Sequence, residues 1–327
     1  MKNNYRQDVL EYMKMPSIGG HQPYMDISKD GQYILFNSND TGKPNLYVQA
    51  VETPADIRRI TAAEKMVYVG KFSPDGKMVV FSLEAHGSEK SDLYLVRLDS
   101  LDSPPKKITR KACMTYSQGI AWRPSGTEVI RTFTDGDNSG IEVIDMETLT
   151  PKILVDGVSP LMSARYSHDG KWIACTAYDS NSSIFLVNRE KPEKTKTIKL
   201  SETCFNASPS WSFDDKNIGF ITNINGFFQP VVYNLENDKY DVIDLLDGEE
   251  SAAHSQVAQE IEFHSDVDRI YYVVSKTGRK YIKEYTISTK RSVVLPFPEG
   301  TIDAFVINPS SQIIVAIHSS MKSPKMI

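Results

Sequence analysis

The chain has 327 residues, enough for one large domain or two small ones, and its 40% apolar and 24% charged content is ordinary for a globular protein. With 37 basic against 42 acidic side chains the formal charge is -5, which gives no electrostatic reason to expect nucleic acid or an anionic membrane as partner. No apolar run reaches the roughly 18 residues that a membrane span needs, and Met1 to Leu10 lacks the apolar core of a signal peptide, so the expected compartment is the cytoplasm.

In chain order, the first predicted element is a short helix. Tyr5, Val9, Tyr12 and Met13 recur at helical spacing, Asn4 is placed to cap it and Pro16 to end it. Residues 1–20 are therefore read as helix and linker, and 21–327 as a separate all-β domain. That domain repeats. An apolar anchor followed by a turn recurs at Ile27-Ser-Lys-Asp-Gly31, Phe72-Ser-Pro-Asp-Gly76, Trp122-Arg-Pro-Ser-Gly126 and Tyr166-Ser-His-Asp-Gly170. Looser copies follow at Trp211, Phe263 and Ile307, so the spacings are 45, 50, 44, 45, 52 and 44 residues. A strand-rich period of about 40–50 residues is that of a propeller blade. In each turn Pro or a small polar residue favours the turn backbone, Asp bonds nearby amides, and Gly accepts positive φ on exit.

Around each turn four strands are expected. An inner strand such as Val67 to Phe72 or Leu161 to Tyr166 precedes it. A continuous apolar strand follows, as in Met78-Val-Val-Phe81, Trp172-Ile-Ala-Cys175 and Ile313-Ile-Val-Ala-Ile317; such runs suit strands buried on both faces. A third strand alternates, as in Asn45 to Ala50. A short fourth strand carries charge, as in Ile57 to Thr61 and Lys106 to Thr109, which suits an exposed edge. The prediction is an all-β, seven-bladed β-propeller of four-stranded antiparallel blades, with a last blade that reaches only into its third strand at Lys325 to Ile327.

The stretch Met15-Pro-Ser-Ile-Gly-Gly20, then Asp30-Gly31 and Asn37 to Gly42 before Asn45-Leu-Tyr-Val48, resembles the opening of acylaminoacyl-peptidase-like members of the prolyl oligopeptidase family. The Ser-Pro-Asp-Gly turns with a following Leu-Tyr-Leu-Val strand also resemble the TolB-like propeller repeat. The first resemblance implies a substrate-gating propeller beside an α/β-hydrolase domain that carries a Ser, Asp, His triad. The second implies a free-standing protein-interaction scaffold. No Gly-x-Ser-x-Gly nucleophile elbow occurs, so no catalytic residue carries over and the chain itself is read as non-catalytic. The expected partner is a hydrolase domain or another protein, with peptides possible.

No cofactor, metal or catalytic residue is assigned. Asp135-Gly-Asp137-Asn-Ser139-Gly140 begins like a calcium loop, but Met146 stands where a bidentate Glu is needed, and a hairpin turn explains the segment. His21, His86, His168, His254, His264 and His318 show no metal spacing, and His168 and His264 are expected on turn surfaces. Cys113, Cys175 and Cys204 are read as buried thiols. Phe227 and Phe228 follow an Asn-Gly hairpin signal and are expected in packing between blades. The segment Arg189 to Lys199 reads as an exposed outer loop and edge strand. A third possibility, an enzyme site in the central channel, draws on Asp26, Glu262 and Asp303 of blades one, six and seven.

Overall fold

The computed structural model describes residues 24–62, 65–84, 89–116, 118–251, 261–308, 313–320 and 323–326. The predicted helix and linker lie outside them. The described residues form antiparallel meander sheets and no helix. Repeat one is a four-stranded sheet of Met25–Ile27, Tyr33–Ser38, Asn45–Ala50 and Ile57–Arg59, in that order. Repeats four and five repeat this pattern, and repeat seven shows three strands, Thr301–Asn308, Ile313–Ser320 and Ser323–Met326. Inner strands are shorter than expected in places: repeat four has only Arg165–Tyr166 in regular pairing, with Leu161 reduced to an isolated bridge to Ala177.

Repeats two and three depart from the pattern. Cys113–Met114 pairs with Lys90–Arg97 of repeat two and also with Glu128–Asp135 of repeat three, joining both repeats into one nine-stranded sheet.

The turn chemistry is the same in four repeats. Ser28, Ser73, Ser167 and Ser212 each donate to the Asp two residues on, at 2.6, 2.5, 2.8 and 2.6 Å. Each hydroxyl also accepts the amide five residues on, at 2.9 Å in all four. The closing residue is left-handed: Gly31, Gly76, Gly126 and Gly170 have φ of 70 to 75°. In repeats five and six this position falls to Asp215 (φ 57°) and Val267 (φ 58°), a conformation that L side chains adopt at a cost.

The second strands explain the continuous apolar runs. Ile173 and Cys175 pack into a cluster with Ile130 and Ile141 of repeat three and Leu161 of their own repeat, while Ala174 between them packs with Trp211, Ile218 and Phe220 of repeat five. Tyr272 and Val274 serve the seam with repeat five, Tyr271 and Val273 the seam with repeat seven. Alternate residues thus feed opposite cores, and both faces are dry. A further cluster joins Met25, Ile34, Phe36 and Tyr47 of repeat one to Ala304, Val306, Val315 and Ile317 of repeat seven. Asn308 adds hydrogen bonds to the Ser28 and Lys29 carbonyls at 2.8 and 2.9 Å. Burying one such aliphatic side chain contributes about 1.5–3 kcal/mol, so these seams carry most of the stability.

Candidate functional site

The turns of neighbouring repeats touch. Gly126 lies against Pro74 and Gly170 against Arg123 and Pro124. Asp215 accepts the amides of His168 and Asp169 at 2.8 and 2.9 Å, and its Oδ1 lies 3.1 Å from His168 Nδ1. Asp215 uses its left-handed backbone to aim that carboxylate across the seam.

Inside the turns the inner strands line a cavity of about 610 Å³. Its walls are apolar and aromatic: Phe72, Pro74, Trp122, Pro124, Tyr166 and Phe213, with the His168 ring 4.2 Å from Phe213. The anchors are locked from behind. Trp122 and Trp211 donate their indole N–H to the carbonyls of Lys71 and Arg165 in the preceding repeats, both at 3.1 Å. Tyr166 donates its hydroxyl to Glu128 at 2.6 Å, and Arg189 grips the same carboxylate with two bonds of 2.6 Å. Burial and this carboxylate push the Tyr166 phenol far above its ordinary range.

The position one residue before each anchor is charged in four of the seven repeats. That position holds Asp26, Lys71, Ala121, Arg165, Ser210, Glu262 and Val306, each paired with a second-strand residue nine positions on. Lys71 meets Asp26 at 3.3 Å, and the other Asp26 oxygen accepts the Phe72 amide at 2.9 Å. Arg165 reaches Glu262 at 2.5 Å, and the other Glu262 oxygen accepts Ser210 at 3.0 Å. Tyr24, only 1% exposed, places its ring 5.4 Å from Lys71 Nζ. Burial first, then the Asp26 charge, raise its phenol well above the ordinary range, and Arg165 opposes them.

Two expectations are corrected here. Asp26, Glu262 and Asp303 do not form one cluster: Asp26 and Glu262 lie in separate ion pairs, and Asp303 sits at a bulge between Ile302 and Ala304, four residues before its anchor instead of one. Among the described residues no three His, Cys, Asp or Glu side chains are placed to hold a metal. His264 is not on the turn surface. It is 3% exposed and stands where other repeats have Ser, with its Nδ1 accepting the Asp266 amide at 3.2 Å. His168, by contrast, is exposed at the cavity rim.

Asp135 and Asn138 face each other across a hairpin, and the Asp135 carboxylate is bonded by Lys90 and Lys111. Phe228 packs in the core between repeats five and six and meets Phe205 edge-on, as expected, whereas Phe227, expected in the same packing, is turned out of it and exposed. The three cysteines are free and buried. Lys196 and Lys199 pair with Asp238 and Asp179 at the outer edge. Lys71 and Arg165 were not singled out in sequence; the signal was their shared offset from the anchors.

The fold is similar to that of TolB-like β-propellers. No family model matches the chain. It is similar to the Tol-Pal system protein TolB of Francisella tularensis subsp. mediasiatica, 23% identical over 223 residues that make up 67% of this chain and 50% of that protein. The chain thus spans about half the length of the curated relatives it matches. Among solved structures, TolB from Acinetobacter baumannii superposes with a TM-score of 0.57 at 15% identity, covering 85% of this chain and 64% of that one. The oligogalacturonate lyase of Vibrio parahaemolyticus superposes with a TM-score of 0.70 at 13% identity, covering 95% and 90%. These likenesses establish the fold.

Proposed function

We propose that the chain is a closed ring of seven blades that does no chemistry itself and holds a segment of a partner protein in the cavity at its turn end. Seven apolar clusters, each shared by two successive repeats and one of them by the last and first, support the ring. The observation that carries the function is the cavity itself. Its wall is largely apolar, and Asp26, which lines it, and Glu262, paired with the lining Arg165, are each engaged on both oxygens by protein donors. That arrangement suits holding, whereas proton transfer requires a group aimed at the substrate. The relatives' name, Tol-Pal system protein, fits a component that acts with others.

The test is photo-crosslinking in cells from a benzoylphenylalanine placed at Pro124 on the cavity rim, against the same probe at Ser100 on an exposed outer loop. A discrete partner trapped from Pro124 alone is the expected result. Equal trapping from both sites, or a serine of this chain labelled by a fluorophosphonate with turnover, overturns the reading. The partner's identity also decides the finer alternative: an α/β-hydrolase domain would place the ring in a prolyl oligopeptidase-like peptidase, as the Met15–Gly20 resemblance implies.

A further inference from the structure

We propose that the cavity floor is a carboxylate receptor, in which Lys71 and Arg165 hold an acidic group of the bound segment. This rests on the partner-holding reading above and adds the chemistry recognised.

The argument is a count of donors and acceptors. A guanidinium offers five N–H groups and an ammonium three. Among the described residues, Arg165 spends one on Glu262 and Lys71 spends one on Asp26. The acids are more nearly spent, with two of about four lone-pair sites engaged on each. Asp26 is bonded by Lys71 and the Phe72 amide, Glu262 by Arg165 and Ser210. The four charges cancel, yet the free hydrogen-bonding capacity is weighted to donors, and donors select an acceptor. Lys71 and Arg165 are 16% and 23% exposed and line the same cavity, so a ligand reaches both. The aromatic residues lining the same cavity favour an apolar or aromatic neighbour next to the acidic group.

The experiment is fluorescence anisotropy on the full chain with a labelled, amidated peptide of Gly, Phe and Asp. Its comparators are the same peptide with Asn for Asp, a Gly-Phe peptide ending in a free carboxylate, and oligogalacturonate as a competitor. The Asp peptide is expected to bind at least about tenfold more tightly than the Asn peptide, as charge-assisted hydrogen bonds require. Lys71→Met and Arg165→Gln should each weaken it by about tenfold. Asp26→Asn releases Lys71 from its competing anion and should tighten binding, a sign that mere loss of structure would not give. Thermal melts confirm that each variant is folded. Tighter binding of the free-carboxylate peptide than of the Asp peptide assigns the receptor to a chain terminus. Equal binding of Asp and Asn peptides, untouched by the variants, overturns the receptor and leaves partner holding standing. Oligogalacturonate as the better ligand overturns both, and failure of every probe at millimolar concentration overturns the receptor while the crosslink decides the partner.

Discussion

Two arginines, one per region, show how the same side chain serves two purposes. Arg131, at the seam of repeats two and three, is 1% exposed and engages all three guanidinium nitrogens: Nε on Glu142 at 2.7 Å, Nη2 on the Lys111 carbonyl at 2.8 Å, Nη1 toward the Ser91 carbonyl at 3.4 Å. Arg165, in the cavity, is partly exposed and makes one side-chain bond. A buried ion must be satisfied by the protein, because water cannot reach it. An ion at a cavity floor can be left with donors to spare, because water covers them until a ligand arrives. Saturation therefore marks a structural ion pair, and residual capacity marks a binding one.

The largest test of this contrast is Arg131→Met, which strands the Glu142 carboxylate in the seam and should destabilise the fold by about 3–5 kcal/mol. Arg131→Met with Glu142→Leu should recover most of that, measured by chemical denaturation. Arg165→Gln should cost under about 1 kcal/mol, because Glu262 keeps Ser210 and solvent. If Arg165→Gln proved the more damaging, the contrast would collapse. Between these lie the two left-handed turn residues. Asp215→Ala removes the acceptor of two amides and should cost about 1 kcal/mol. Val267→Gly relieves the same backbone strain with no such bond to lose, and should stabilise by about 0.5–1 kcal/mol.

The smallest expected effect concerns Asp75. The Ser73 hydroxyl bonded to it holds its carboxyl below the usual range. A depressed folded-state pKa stabilises the protein above the ordinary Asp pKa near 4, and that contribution fades as pH falls through the lower folded value. Ser73→Ala should return the Asp75 titration, followed by NMR, to the ordinary range and flatten the acid limb of stability. An unchanged titration would show that the turn hydroxyl is not its cause.

How much was legible in sequence follows from how local each feature is. The Ser-x-Asp-Gly turn is closed by bonds that span two to five residues, so its chemistry is written contiguously and the repeats could be counted. The double-sided strands were legible because alternate residues feed opposite cores, which forces an unbroken apolar run. The cavity floor was half legible. Asp26 and Glu262 stood out as inner-strand acids, but their partners Lys71 and Arg165 lie 45 and 97 positions away, and only the packing of separate repeats brings them together. Asp303 was misgrouped because a bulge shifts it out of the shared register. His264 was misread because the turn pattern gives position, and it fills a serine's role with a ring that must be buried.

The strand Cys113–Met114, hydrogen-bonded on both sides, gives the molecule an uneven stiffness. Side-chain packing alone lets neighbouring sheets slide, as pages do, whereas a shared backbone ladder works like a binding. Repeats two and three therefore move as one plate, and any widening of the mouth is absorbed at the other seams. Lys71 and the Trp122 wall ride on that plate; Arg165 and Glu262 do not. A segment seated between them would bridge the stiffer repeats and the more compliant ones, so amide exchange on occupancy should slow in repeats four to six and hardly change in two and three.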